Sequence, residues 1–268
     1  MSVSTHNLSD PAFVDYVADA LASLPGVEGV ALGGSRAQGA HRPTSDWDFG
    51  LYYRGAFDPD SVRRLGWPGE LSDLGGWGRV FNGGGAVTLD SRAIDIHYRD
   101  LALIDTIHED ACRGVFTIEP LLFHQAGLPS YILLAELGVN TILRGPLPQW
   151  GYPEALRTSA PEIWWHHADL TLYYAKEGHA RRGRVAQCAG LLSAAACHTA
   201  HAILAHRGEW VTNEKRLLSK AGLGEIDGII ARLGTEPESL LRAANDTRAL
   251  LINTASAEGI ATGPTSVR

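Results

Sequence analysis

Hydrophobic and polar positions in the first half of the chain follow short periods that predict strands between helices. The amphipathic spacing of residues 10–24 predicts a helix, and the apolar run of residues 27–32 predicts a strand directly after it. Residues 86–89 and 93–98 predict a hairpin, because two β-rich runs are separated by a short polar turn. The pattern therefore predicts a sheet with at least one flanking helix.

Apolar and polar side chains alternate strictly in residues 45–53. This alternation predicts a strand with Trp47 and Phe49 on one face and Asp46 and Asp48 on the other. Like charges so close together are unfavourable unless they share a proton or bind a cation, and carboxylate oxygens are ligands that Mg²⁺ prefers. The two aspartates therefore predict a metal site at the start of the strand.

The predicted hairpin carries a further acidic residue. Asp95 shares one face of the second hairpin strand with His97 and Arg99. A third carboxylate is needed if two metal ions are to clamp the attacking and leaving oxygens of an in-line displacement. We predict that Asp46, Asp48 and Asp95 are catalytic metal ligands, and that Asp95 also takes the proton of an attacking hydroxyl.

A glycine-rich turn follows the first predicted strand. Gly33 and Gly34 lack the Cβ atoms that would keep the backbone away from a phosphate, and Ser35 begins a short predicted helix whose N–H groups favour an anion. The turn is not a P-loop, because the Gly-Lys-Ser/Thr ending is missing. We predict that Gly33, Gly34 and Ser35 bind a nucleoside triphosphate, with Arg36 as a helper.

The remaining periodicity predicts smaller elements in the first half and a helical second half. In the first half we expect a short helix at 61–65, a strand near Val80, a hairpin turn at 83–85, helices at 99–112 and 130–138, and an edge strand at 140–143. After the Gly- and Pro-rich residues 145–148 we expect helices at 161–176, 185–207, 213–221, near Ile226, and at 237–254. The predicted fold class is α+β: a catalytic domain with a mixed sheet flanked by helices over residues 1–148, followed by an all-α helical bundle domain over residues 149–268.

The order of these motifs resembles that of a known family. A Gly-Gly-Ser turn, an Asp-x-Asp pair and a lone Asp flanked by isoleucines resemble the nucleotidyltransferase superfamily of DNA polymerase beta type, over roughly residues 25–145. With the helical domain that follows, the layout is similar to the nucleotidyltransferases that modify aminoglycoside or lincosamide antibiotics. The resemblance implies that Ser35 contacts the triphosphate and that Asp46, Asp48 and Asp95 hold two magnesium ions.

The helical half offers one further residue for the nucleotide. The chain has only three lysines against 20 arginines, and Lys215 lies at a predicted helix start. In related two-domain enzymes a lysine at a comparable place reaches the triphosphate, so we predict this role for Lys215. The alternative is a capped surface helix with Lys215 in water. His198 and His201 share one helix face and either face the cleft or are core histidines.

The acidic residues are concentrated in the first half. Residues 1–148 carry 10 Lys/Arg and 18 Asp/Glu, a net charge of −8, whereas residues 149–268 carry 13 and 12, a net charge of +1. A protein that binds long nucleic acid needs a basic track for the phosphate backbone, and no such track is present. The acidic half suits metal ions and a cationic small acceptor, so we expect no nucleic-acid partner.

Composition is that of an ordinary globular protein, with 45% hydrophobic and 20% charged residues. Cys112, Cys188 and Cys197 lack metal-ligand spacing, so we expect buried thiols in a reducing compartment. The N-terminus lacks a signal-peptide pattern, and we expect no run that crosses a bilayer. These features predict a cytoplasmic protein without a membrane partner, either a monomer or a homodimer.

Together, these observations predict a magnesium-dependent nucleotidyltransferase. It moves a nucleoside monophosphate, AMP from ATP, to a hydroxyl of a small molecule and releases pyrophosphate; by resemblance, the acceptor is an aminoglycoside-type antibiotic. Two alternatives stay open: a regulatory or antitoxin-like enzyme that transfers AMP to a protein, and a nucleotide-binding module without activity. The fused helical half argues against the first, and the intact carboxylates argue against the second.

Overall fold

Six of the strands form one mixed sheet. The computed structural model describes residues 8–263. Its strands are β1 Val27–Leu32, β2 Trp47–Tyr53, β3 Gly69–Leu71, β4 Gly83–Leu89, β5 Arg92–Asp100, β6 Ile118–Leu121, β7 His124–Pro129 and β8 Thr141–Arg144. The large sheet has the order β3-β4-β5-β2-β1-β8, and β6 and β7 form a separate hairpin. Within the large sheet only β2 and β5 are parallel.

Helices flank this sheet and dominate the rest of the chain. They are α1 Asp10–Ala22, α2 Gly34–Ala37, α3 Asp60–Arg63, α4 Gly78–Phe81, α5 Leu101–Cys112, α6 Ile132–Val139, α7 Glu154–Tyr173, α8 Val185–Arg207, α9 Leu217–Lys220, α10 Ile226–Ala231 and α11 Pro237–Ala257. A π-helical turn, Tyr174–His179, and a 3-10 turn, Ala180–Arg182, connect α7 to α8. The mixed sheet followed by a helical region confirms the predicted α+β class.

The chain divides into two compact units. The first runs to Glu109 and also includes Leu133–Gly151, whereas the second comprises Asp110–Ile132 and the chain from Tyr152 onward. The first unit therefore contains the large sheet, and the hairpin of β6 and β7 lies within the second, helical unit. The domain boundary that the sequence predicts after residue 148 does not account for the segment Asp110–Ile132.

One face of the large sheet packs against α1 to form the core of the first unit. Phe13, Val17 and Leu21 of α1 are fully buried, as are Phe49 and Leu51 of β2. Alternation in β2 sends its apolar residues to this face, as the sequence predicts. Fully burying one such side chain stabilises the fold by about 1.5–3 kcal/mol, so this interface fixes the position of β2.

The opposite face of the sheet holds a buried ion pair. Arg99 of β5 is 1% exposed, and its Nε and Nη2 donate to the carboxylate of Glu136 on α6 at 2.5 and 2.7 Å. Burial by itself lowers the pKa of Arg99, but the charge and the hydrogen bonds of Glu136, together with Tyr52, more than offset this effect and the pKa is raised. Burial, followed by the Glu136 charge, also raises the pKa of Tyr52, which lies beside Arg99 in the sheet.

Helices α7 and α8 form the centre of the second unit. Helix α8 is long and apolar enough to cross a membrane by length and composition, which corrects the expectation that the chain has no such run. However, 67% of its apolar window is buried inside the structure, as in the core helix of a globular domain. Cys188 and Cys197 of α8 are buried as predicted, whereas Cys112 is exposed and corrects the expectation of three buried thiols.

Three local predictions around β4 and β5 are wrong. Val80 lies in the short helix α4 rather than in a strand, and residues 83–85 begin β4 rather than forming a turn. A run of three glycines has no side chains with which to show alternation, so its extended conformation was not visible in the pattern. The helix predicted from Arg99 begins only at Leu101, because β5 continues to Asp100.

The buried ion pair generates a stability prediction. Glu136→Gln leaves the Arg99 guanidinium buried without a compensating charge, and we expect it to lower the free energy of unfolding by about 3 kcal/mol. Urea denaturation of the full chain measures this change. The matched control is Asp19→Asn, which weakens an ion pair with Arg144 at the surface and should hardly move the midpoint.

A double variant separates the charge from the packing. Arg99→Met with Glu136→Leu replaces both partners by apolar side chains, and we expect it to recover much of the lost stability. If the double variant is as unstable as Glu136→Gln, shape rather than charge balance controls this site and the interpretation is wrong.

Candidate active site

The parallel pair of strands brings two of the predicted carboxylates together. Asp48 of β2 is paired directly with Asp95 of β5, so the two side chains project from the same face of the sheet. Both residues are half-buried. Asp46 lies in the loop before β2 and is exposed. The structure therefore places Asp48 and Asp95 side by side, whereas Asp46 lies in the exposed loop that precedes β2.

The glycine turn after β1 touches the carboxylate of Asp48. A Cβ atom on Gly34 would lie 1.8 Å from Asp48 Oδ2, which is far inside any permitted contact. Gly34 also has a φ of +63°, in the left-handed region that favours glycine. Both the space and the backbone conformation at this position therefore require glycine.

Hydrogen bonding fixes the turn relative to β2. The backbone N–H of Gly33 donates to the Asp48 carbonyl at 2.8 Å. On the other side of the turn, a Cβ atom on Gly33 would lie 3.0 Å from Asn140 Nδ2. Asn140 follows α6, and its position beside the turn was not predicted, because nothing in the local pattern links residue 140 to residue 33. The turn is thus confined between Asp48 and Asn140.

Ser35 and Arg36 have different surroundings. Ser35 lies in the first turn of α2, where helix geometry leaves backbone N–H groups without a partner inside the helix. The Arg36 side chain is only 8% exposed, and its guanidinium lies 3.7 Å from the centroid of the Trp47 ring. Its Nε and Nη2 donate to the Ser45 carbonyl at 3.1 and 2.7 Å. Arg36 therefore holds the loop before β2, which argues against the predicted helper role toward phosphate.

His97 is the next side chain along the carboxylate face. It follows Asp95 by two residues on β5, and its Nε2 lies 3.8 Å from Asp48 Oδ1. Its ring meets that of Trp77 edge-on, with 5.9 Å between centroids. The sequence placed His97 on the same face as Asp95 but gave no indication of Trp77, which lies in a region without periodicity.

Paired carboxylates raise the question of whether the residues present fit a metal ion. Among residues 8–263, no three His, Cys, Asp or Glu side chains form a group that could hold one. The role of Asp46, Asp48 and Asp95 as a set of metal ligands stays a prediction. Magnesium, however, is commonly held by one or two carboxylates together with phosphates of the substrate. Asp48 and Asp95, side by side and next to the glycine turn, fit that arrangement.

Lys215 lies in the second unit, in the segment just before α9. It is exposed, and its backbone N–H donates to Asn213 Oδ1 at 3.1 Å. This contact forms a local turn before the helix, because α9 begins only at Leu217 and has no side-chain cap. The predicted helix start at Lys215 is therefore wrong, whereas its exposure agrees with the surface alternative. A contact between Lys215 and the triphosphate stays a prediction.

The histidines of α8 lie in the core of the second unit. His201 is 3% exposed, its ring stacks on Trp164 at 4.5 Å, and its Nε2 lies 3.8 Å from Glu214 Oε1. His198 also stacks on Trp164 and meets the ring of His167 edge-on at 5.6 Å. The arrangement favours the core interpretation of both residues over a role in a cleft.

Comparison with known proteins bears on the first unit. Residues 14–78 match the nucleotidyltransferase domain family, a span that includes the glycine turn and Asp48 but ends before Asp95. The chain is also similar to a crystal structure of a nucleotidyltransferase-like protein from Exiguobacterium sibiricum 255-15. The two share 11% identity over 91% of this chain and 75% of that one, with a TM-score of 0.44, which adds nothing to the assignment. No curated protein matches the sequence.

A glycine turn lies against a strand aspartate, and a second aspartate is in register on the parallel neighbour. The match over residues 14–78 covers the first of these elements. Residues 14–78 are therefore similar to a nucleotidyltransferase domain, and this similarity supports a transferase activity.

The contact between Gly34 and Asp48 generates a test of the site. Gly34→Ala places a methyl group where Asp48 Oδ2 lies, so the carboxylate must move by more than 1 Å. We expect kcat for nucleotidyl transfer to fall by about 100-fold, because displacements of this size cost about that much.

Gly39→Ala is a matched control for this variant. Gly39 has the same φ of +63°, but a Cβ atom there would meet nothing within 4 Å. The control therefore carries the backbone strain without the clash and should keep most of its activity. Equal losses in the two variants would contradict the assignment of Asp48 to the reaction centre.

The histidine cluster predicts how stability depends on pH. Burial, followed by the charges of His167 and His201, lowers the pKa of His198 to about 4, and burial also lowers the pKa of His124 and His167. Between pH 6.5 and 4 the unfolded chain therefore binds more protons than the folded one, so stability falls as the pH falls. For His198 alone we expect a loss of about 2 kcal/mol between pH 7 and 5.

Thermal melts at the two pH values measure this dependence. His198→Gln removes one titrating group, so the difference between pH 7 and 5 should shrink. His41→Gln, at an exposed position, should leave the difference unchanged. An identical pH dependence in wild type and His198→Gln would show that His198 does not contribute.

Proposed function

We propose that this chain transfers AMP from ATP to a hydroxyl group of a small molecule and releases pyrophosphate. The observation that carries the proposal is the contact of the Gly34 turn with Asp48, which pairs with Asp95 on the parallel strand. Nucleotidyl transfer requires a turn that binds phosphate next to carboxylates that bind a metal ion. Here the Gly34 turn is in van der Waals contact with the first of the two carboxylates.

In this proposal Asp48 and Asp95 hold magnesium, with the exposed Asp46 at the edge of the same site. When bound, the ion neutralises charge on the phosphates and stabilises the in-line displacement. The choice of metal follows from the donor set, since carboxylate oxygens favour a hard cation and the site offers no thiolate.

The residues of the chain position the donor and move a proton. Backbone N–H groups of Gly34 and Ser35 bind the β and γ phosphates. The acceptor oxygen forms a bond to the α phosphorus while the bond to the bridging oxygen of pyrophosphate breaks. A carboxylate oxygen of Asp95 takes the proton of the attacking hydroxyl.

Charge supports a cationic acceptor. The first 148 residues carry a net charge of −8, and the exposed carboxylate of Asp46 adds negative potential beside the site. Such a field attracts a polyamine sugar and repels a nucleic acid. We therefore propose an aminoglycoside-type acceptor, with a lincosamide as the related candidate.

The experiment is a transfer assay with mass detection. Purified protein is incubated with Mg²⁺, each of the four NTPs, and a panel of aminoglycosides and lincosamides. We expect one acceptor to gain the mass of one nucleotide residue, and we expect Asp48→Asn to lower kcat by at least about 100-fold, since an essential charge is removed.

Asp100→Asn is the control for that substitution. Asp100 is the last residue of β5, at a position whose side chain alternates to the face opposite Asp95. Its Oδ1 accepts a hydrogen bond from the N–H of Ala102 at 2.8 Å, which asparagine can also accept. If no small molecule gains mass but a protein in a cell lysate gains AMP, the acceptor proposal is wrong. Unchanged turnover in Asp48→Asn would overturn the assignment of the site.

A further inference from the structure

An exposed aromatic side chain lies beside the carboxylate pair. Trp77 is 39% exposed, although a large apolar ring is normally buried. Its ring contacts His97, whose Nε2 is 3.8 Å from Asp48 Oδ1. One ring therefore separates Trp77 from the carboxylate, and both rings belong to the first unit. Nothing in the proposed phosphate chemistry uses Trp77.

The segment that carries Trp77 is tied down at several points. The N–H of Trp77 donates to the Asn82 carbonyl at 3.3 Å, and the N–H of Gly75 donates to Asn82 Oδ1 at 2.9 Å. Asn82 Nδ2 donates in turn to Tyr53 Oη at 2.6 Å. Asn82 makes these contacts with a φ of +59°, an uncommon conformation for a residue other than glycine.

A second anchor lies on the carboxylate face itself. Nη1 of the buried Arg99 donates to the Phe81 carbonyl at 2.9 Å, which holds the end of α4 over β5. Arg99 and His97 share one face of β5, so residues 77–81 follow this face away from Asp95. The indole is thus presented in an ordered position, and binding a ligand against it costs little conformational entropy.

We propose that Trp77 stacks on the base of the donor nucleotide. The inference rests on the proposed function, because it takes the α phosphate to lie at Asp48 and Asp95. From there the ribose extends over His97 and the base reaches the indole. A flat, weakly polar base suits the face of Trp77, whereas a saturated cationic acceptor is better served by carboxylates.

Stacking also determines what kind of selectivity to expect. Every base has an aromatic face, so a stacking platform holds bases without reading the hydrogen-bonding groups at their edges. Purines cover more of an indole than pyrimidines do. Trp77 therefore favours ATP and GTP over CTP and UTP, and it contributes equally to the two purine nucleotides.

The test compares nucleotides with inorganic tripolyphosphate, which has the phosphates but no base. Calorimetric titrations of the full chain with Mg²⁺ should show that Trp77→Ala weakens ATP and GTP binding by about tenfold or more, because the stacking contact with the base is lost. Binding of tripolyphosphate should be unchanged. Trp77→Phe keeps an aromatic face and should bind ATP nearly as tightly as wild type.

Fluorescence gives a second measurement that does not depend on the alanine variant. The chain has seven tryptophans, so the difference between wild type and Trp77→Phe isolates the emission of Trp77. ATP and GTP should quench this difference, and tripolyphosphate should not.

Two failures are distinguishable. If wild type binds ATP and Trp77→Ala binds it equally tightly, the stacking inference is overturned while the proposed function stands. The same holds if Trp77→Ala raises only the KM of the acceptor. If wild type binds neither ATP nor tripolyphosphate, the proposed function fails and the inference fails with it.

Discussion

The contact between the Gly34 backbone and the Asp48 carboxylate is the constraint on which the rest of the site depends. It leaves no room for a side chain at residue 34, and the hydrogen bond from Gly33 to the Asp48 carbonyl adds a second fixed point. The turn therefore cannot shift without moving β2. Because β2 is held by the apolar core and paired in parallel with β5, the same constraint sets the distance from the turn to Asp95. Preorganisation of this kind removes the cost of assembling charged groups at the moment of reaction.

The two faces of the sheet perform different tasks. On one face, burial against α1 supplies the free energy that keeps the strands in register. On the other, Arg99 and Glu136 form an ion pair whose desolvation is costly and whose net contribution to stability is small. Here it connects β5 to α6 and, through the Phe81 carbonyl, to the segment that carries Trp77.

Local patterns predicted more of this site than of the surroundings that complete it. Alternation in β2 and β5 correctly placed Asp48 and Asp95 on polar faces, because side-chain direction in a strand depends only on parity. Local periodicity cannot predict that β2 and β5 are neighbours in the sheet. The family resemblance implies it. The cation–π contact of Arg36 with Trp47 could not be predicted, because the charge of Arg36 is visible in the sequence but its neighbours in space are not. The position of Trp77 beside the site could not be predicted for a related reason. Its segment contains several glycines and Asn82, which has a positive φ, and such residues show no hydrophobic periodicity.

The proposed contacts to the donor nucleotide distinguish few chemical groups. In the proposed site, backbone N–H groups bind phosphate, carboxylates bind a hard cation, and an indole stacks on any flat base. None of these contacts distinguishes one purine nucleotide from another by its edge groups. Discrimination between substrates requires contacts that a wrong substrate leaves unsatisfied, and the donor side offers few of them. In the proposed reaction, selection therefore depends on the acceptor, and the net charge of −8 over the first 148 residues favours a cationic molecule over an anionic one.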